Sequence, residues 1–211
     1  MALKPLEPFL PAGTLPLVEK MLANEVFHIV VTRPRKTKLG DFRHPRPGEV
    51  PRLTVNGNLE PNNFLITLVH EVAHLKIWNK YKNKVKPHGD EWKNCYSTLL
   101  SEFLGKGFFP DNLENALVAH VKMPKYTSVA DQQLMRALRL EKNDQHNDDG
   151  KYVEDLNKGE AFYLQNRVFV IEEKLRKNYL CKELPSGKKY RVSALARVMP
   201  VSEQMLLKLK K

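Results

Sequence analysis

Two stretches with different hydrophobic periods predict an α+β fold for this chain of 211 residues. In residues 1–142 helical spacing of apolar positions dominates, interrupted by two β-branched runs, and one apolar segment is long enough for a helix of about 20 residues. Beyond a polar stretch, residues 159–211 change to short strand-like runs separated by turn residues. The expected organisation is a first domain over 1–142, a linker over 143–158 and a small basic β-rich module over 159–211.

In chain order, Leu15, Val18, Met21 and Leu22 recur at helical spacing and predict a first amphipathic helix over residues 15–24. Val26 to Thr32 is a β-branched and aromatic run and reads as a buried strand. From Arg33 to Pro51 the chain is polar and rich in Pro and Gly, which predicts loops around one short strand. Arg52 to Asn56 is a second strand, closed by the turn-forming Asn56, Gly57 and Asn58. The long helix is expected from Asn62 to Tyr81, capped by Asn62 or Asn63. Another follows from Asp90 to Leu104, with Asp90 as cap and Gly105 and Gly107 as stop signals. Asp111–His120 and Ser128–Leu140 are further helical segments. Asn143 to Gly150 carries no apolar side chain and marks the start of the linker. Past it, Arg167–Ile171, Tyr179–Cys181 and Tyr190–Val198 read as strands, with Pro185, Ser186 and Gly187 as a hairpin turn; Met205–Leu207 leads into a lysine-rich end.

Composition narrows the class. No run of 18 apolar residues exists, so no membrane span is predicted. Pro5, Glu7, Pro8 and Pro11 break up the N-terminus before any signal-peptide core, which places the expected protein in the cytoplasm. Two cysteines, Cys95 and Cys181, do not make a disulfide scaffold. The net charge is +11, and residues 159–211 hold twelve basic side chains against five acidic. Such an excess attracts polyanions by counterion release. Two basic clusters stand out as candidate nucleic-acid contacts. One is Arg33, Arg35, Lys36, Lys38, Arg43, Arg46 and Arg52. The other is the tail set Lys174, Arg176, Lys177, Lys182, Lys188, Lys189 and Arg191, with Phe169, Tyr179 and Tyr190 interleaved either as base-stacking rings or as module core.

The chemistry-bearing motif is His70-Glu71-Val72-Ala73-His74 within the long helix. Residues four apart share a helix face, so both imidazoles reach one ion, while Glu71, about 100° from His70, can face a water held there. Zn2+ suits two imidazoles and a third protein ligand. Leu65, Leu68, Val72 and Leu75 on the opposite face predict a buried helix, where two histidines and a glutamate need a compensating partner. Ile77 and Lys80 stand where a metzincin has its glycine and third histidine, which excludes that class. Downstream, His88 and Glu91 are both candidate third ligands, with imidazole favoured by ligand preference. His28, His44 and His120 lack such spacing and are expected as surface or core histidines. Asn56 and Asn58 are weak oxyanion-donor candidates, more simply read as turn residues.

The strings Ile66-Thr67-Leu68-Val69-His70-Glu71-Val72-Ala73-His74-Leu75 and Lys86-Pro87-His88-Gly89-Asp90-Glu91-Trp92 resemble the SprT-like family, which includes the DNA–protein crosslink protease Spartan. The resemblance covers residues 20–125. It implies a zincin-like metalloprotease domain, with His70, His74 and His88 as zinc ligands and Glu71 as general base. It further implies a protein substrate and, for eukaryotic members, DNA-linked proteolysis. Many members end in a four-cysteine zinc ribbon, and here the region beyond the linker holds only Cys181. Two rival classes remain. A non-enzymatic nucleic-acid adaptor with a structural zinc has no use for Glu71 in its slot. A cysteine hydrolase pairing Cys95 with His88 lacks a supporting local pattern.

Overall fold

The computed structural model describes residues 3–35, 38–125, 131–143, 150–184 and 186–201. The chain divides into two compact units, residues 1–142 and 143–211. Together they form a mixed α+β architecture with two sheets.

The first unit opens with a 3-10 helix over Lys4–Phe9, which the sequence reading passed over, and then α1 (Leu15–Leu22). Three strands follow, β1 (His28–Thr32), β2 (Gly40–Arg43) and β3 (Arg52–Asn56), arranged in the order β1-β3-β2. β1 runs parallel to β3 with His28 opposite Arg52, and β2 runs antiparallel to β3 with Phe42 opposite Leu53. β2 is thus an edge strand. Leu53 and Val55 are fully buried in the core formed with the helices.

The central helix α2 spans Pro61–Tyr81. It is apolar around most of its circumference, and Phe64, Leu65, Leu68, Val69, Val72, Ala73 and Leu75 are fully buried. Its N-cap is Glu60 in an extended conformation, with Pro61 in the first turn, rather than Asn62 or Asn63. Proline fits there because its fixed φ and missing N–H cost nothing at that position. The helix ends at Lys82, whose φ of 54° leaves the helical region. α3 (Asp90–Ser101) and α4 (Asp111–Lys122) pack next, followed by α5 (Gln132–Asn143). Gly89, not Asp90, is the N-cap of α3, and Asp90 is its first residue. The expected start of the last helix at Ser128 lies outside the described residues.

The second unit is a sheet in the order β4-β9-β5-β6-β7-β8. It comprises β4 (Lys151–Tyr152), β5 (Ala161–Leu164), β6 (Arg167–Lys174), β7 (Asn178–Leu184), β8 (Lys189–Ser193) and β9 (Arg197–Val201). Three expectations change. The linker drawn to 158 is too long, because β4 pairs with β9, and Val153 and Leu156 are buried in the second core. β5, not foreseen, forms a hairpin with β6 through Gln165 and Asn166, both at positive φ, the backbone of a tight two-residue turn. The single strand expected over 190–198 is two strands. A turn closed by Ala196 N–H on Ser193 O at 3.0 Å and by Leu195 N–H on Ser193 Oγ at 3.3 Å separates them.

Candidate metal centre

α2 carries His70 and His74 one turn apart, and the chain beyond it carries His88 back toward them. The return is a turn over Lys86–Gly89, closed by Gly89 N–H on Lys86 O at 3.0 Å. The left-handed residue of that turn is His88 itself, with φ 57°, while Gly89 stays extended enough to start α3. A non-glycine residue held at positive φ is uncommon and tends to mark functional sites. The same segment sets the aromatic floor. Trp92, on the first turn of α3, is fully buried, with its ring 4.7 Å from that of His70, 5.3 Å from His74 and 4.6 Å from His88. Tyr96, one turn on, stacks beneath Trp92 at 4.9 Å.

The three Nε2 atoms form a near-equilateral triangle. His70 to His74 is 3.2 Å, His74 to His88 is 3.0 Å and His88 to His70 is 3.2 Å. Three nitrogens bound to one tetrahedral zinc stand about 3.3 Å apart, given bonds of about 2.05 Å. Imidazoles cannot satisfy one another in such a triangle, since each neutral ring offers one nitrogen that either donates or accepts. The three histidines lie close enough to hold a metal ion. Glu91, the rival ligand, is exposed and is not among these residues. Burial pushes the His70 and His74 imidazoles down to about 3, with the neighbouring imidazoles adding to the effect, and burial also lowers His88. All three are therefore neutral near pH 7, the form that ligates metals.

Glu71 sits beside this cluster, only 6% exposed. Burial pushes its carboxyl up to about 8, the charge of Asp41 adds to the rise, and Arg35, Lys38 and the Phe42 N–H partly offset it. Space for the carboxylate comes from Gly40 on β2. A Cβ there would stand 2.5 Å from Glu71 Oε1 and 2.8 Å from Thr67 Cγ2. The edge strand thus approaches α2 closely enough to hold Glu71 in place. Asp41 is fixed in turn by Lys38 at 2.7 Å and Arg43 at 2.9 Å. Burial works against its charge, but the hydrogen bonds from Lys38 and Arg43 hold its carboxyl below the usual range.

His70, His74, Glu71, Gly40 and Asp41 line a cleft of about 430 Å³. Its floor is the α2 face of His70, His74 and Trp78. One wall is Gly40, Asp41, Phe42 and His44, and the other is Val85, Lys86, Pro87 and Trp92. Phe42 stacks over His74 at 6.1 Å, and His44 lies 4.3 Å from the Trp78 ring. Gly40, Phe42 and Trp78 escaped the sequence reading as site residues, and His44, expected as a surface or core histidine, is exposed on the cleft wall. Nothing in the sequence spacing marked them, except that His44 sits in the polar segment before β3.

Other candidates settle elsewhere. Asn56 is buried, its side chain accepting from Arg35 N–H at 3.1 Å and donating to Arg35 O at 2.9 Å, so it ties down the loop before β2 and offers no oxyanion donor. Asn58 is an exposed turn residue. His28 is exposed, and His120 is buried against Asp131 at 2.8 Å. In the second unit, Phe169 and Tyr179 are core side chains and Tyr190 packs against that core, so these rings are not an exposed base-stacking surface. No helix among the described residues is long and apolar enough to cross a membrane. No family model, no curated protein and no solved structure matches this chain.

Proposed function

We propose that the chain is a zinc-dependent hydrolase of peptide bonds, with a zincin-like first unit of the SprT-like kind. The observation that carries this reading is the juxtaposition of a triangle of neutral imidazole nitrogens with a buried carboxylate, in one cleft bordered by an edge strand. His70, His74 and His88 would hold the ion, and a ligand set of three leaves a position open to solvent and substrate, as catalytic zinc sites do. A bound zinc supplies a Lewis acid that polarises a carbonyl and acidifies water.

Glu71 is the proton acceptor in this scheme. A cation held by the three imidazoles would favour the ionised carboxylate, which would then take a proton from the attacking water and pass it to the leaving amine. Gly40 and the Phe42 N–H fix the carboxylate from the strand side. Among the described strands β2 has one neighbour only, β3, and its other edge suits an extended peptide as substrate. The adaptor reading leaves this buried glutamate without a task, at a desolvation cost that a structural site would avoid. The net charge of +11 favours substrates associated with nucleic acid, with the basic segment 33–52 and the basic tail as the contacts.

The test combines metal content with turnover. Wild-type protein should bind close to one zinc per chain and cleave a denatured protein substrate. Glu71→Gln should keep the zinc and lose activity by at least the 10²–10⁴-fold typical of a general base. Full activity in the glutamine variant, or no metal in the wild type after zinc reconstitution, refutes the proposal.

A further inference from the structure

The cleft extends past the imidazoles along α2 to a second set of side chains. Trp78 lies one turn beyond His74 on the same face, about 6 Å along the axis. Lys82 follows at the end of the helix, its Nζ 5.3 Å from the centre of the Trp78 ring. Lys86 lines the same space from the turn that carries His88. Among the described residues neither ammonium has a carboxylate within ion-pair distance. The chain from Val72 to Gly89 holds five lysines and no acidic residue. On the opposite wall the half-buried Asp41 is already paired with Lys38 and Arg43. The other acid of the cleft, Glu71, is buried at the far end beside the metal ligands. The end of the cleft around Trp78 is therefore positively charged, with an aromatic floor.

We infer that Trp78, Lys82 and Lys86 form a substrate subsite that selects an acidic residue about two positions from the bond to be cleaved. This rests on the peptide-hydrolase reading above and names its substrate class. The register follows from geometry: an extended peptide advances about 3.3 Å per residue, so 6 Å of helix corresponds to about two residues. The indole and the His44 ring give an aliphatic stem a surface to lie on. The two exposed ammonium groups offer a carboxylate two charge-assisted partners at the mouth of the cleft. Both lysines are exposed, so charge reversal there leaves the core intact.

The experiment uses the full chain carrying Glu71→Gln, loaded with zinc, so that binding is read without turnover. Its probes are pools of randomised decapeptides with Glu, Gln or Lys fixed at each position in turn. One position is expected to favour Glu over Gln by about five- to tenfold at low salt, with the preference shrinking as salt is raised. Lys82→Glu combined with Lys86→Glu should reverse the order at that position, so that Lys is preferred. Equal binding of the Glu and Gln pools at every position, no binding of any pool, or a Glu preference that survives the charge reversal each overturns the inference. A parallel turnover assay with Glu71 restored separates the two ideas. Cleavage without acidic preference sinks the subsite and keeps the hydrolase, whereas acidic preference without cleavage does the reverse.

Discussion

The two units differ most in what they bury. Among the described residues, every buried Thr, Asn, Asp, Glu or His lies in the first unit, including Asn56, Glu71, His120 and Asp131. The second unit closes over Val153, Phe162, Phe169, Ile171, Tyr179, Cys181, Val192 and Val198 with no such group. Polar side chains cost free energy to bury unless each is partnered. A sheet that only has to fold avoids them, and a unit that presents a neutral imidazole triangle and a raised carboxyl cannot. Among the described residues, the groups that the proposed hydrolysis needs all lie in the first unit.

The largest effect is expected from removing one of the three proposed ligands. His74→Ala should lower zinc affinity by more than the roughly 10- to 100-fold typical of losing an outer partner. Metal retained after dialysis against a graded chelator series measures it. The unfolding of the second unit should be untouched, because none of the described residues of 143–211 belongs to the imidazole cluster. The mirror experiment is Phe162→Ala, at a fully buried ring stacked 5.7 Å from Phe169. It should cost about 3–5 kcal/mol of the second unit's stability, read by denaturant unfolding, with zinc content unchanged. Loss of zinc together with that core would show that the units are not separable.

Gly40→Ala addresses the support of Glu71 alone. The added methyl meets the carboxylate at 2.5 Å, so either Glu71 or the edge strand must shift. We expect hydrolysis to fall by about 10²-fold, as for a misplacement near 1 Å. The stability loss should be about 1–3 kcal/mol, with metal content kept. Unchanged turnover would mean that the glutamate need not be held from the strand.

The helices and the imidazole triangle were legible in the sequence because short-range rules govern them. Spacing of four on a helix puts His70 and His74 on one face, and a turn ahead of Trp92 returns His88. What escaped depends on partners distant in sequence. Gly40 matters only because β2 lies against α2, and Phe42, His44 and Trp78 meet only once that packing exists. In the second unit Tyr152, Val153 and Leu156 carried an apolar signal, but the polar run before them drew the linker too far. β8 and β9 read as one strand because the turn at Ser193 depends on a side-chain hydroxyl rather than on glycine or proline.

The smallest effect concerns the buried pair behind the aromatic floor. His120 donates from Nδ1 to Asp131 Oδ2 at 2.8 Å, Lys125 pairs with Oδ1 at 3.2 Å, and the ring of His120 lies 5.7 Å from that of Tyr96. Asp131 also accepts from the N–H groups of Gln133 and Leu134 at the start of α5. Burial opposes its charge, but the hydrogen bonds from His120 and Lys125 outweigh it and hold the carboxyl below its ordinary 3.8. A carboxyl lowered on folding binds fewer protons folded than unfolded near that pH. Its contribution to stability is thus present above pH 3.8 and is lost as the pH falls through the lower, folded value. Denaturant unfolding of the first unit between pH 3 and 7 should show that decline in the wild type. Asp131→Asn should be less stable at pH 7 and should approach the wild type as the pH drops, because the asparagine has no proton to gain. Parallel stability curves for the two proteins across that range would leave the pair no electrostatic role, and the contrast between the units would then rest on the imidazole cluster and Glu71 alone.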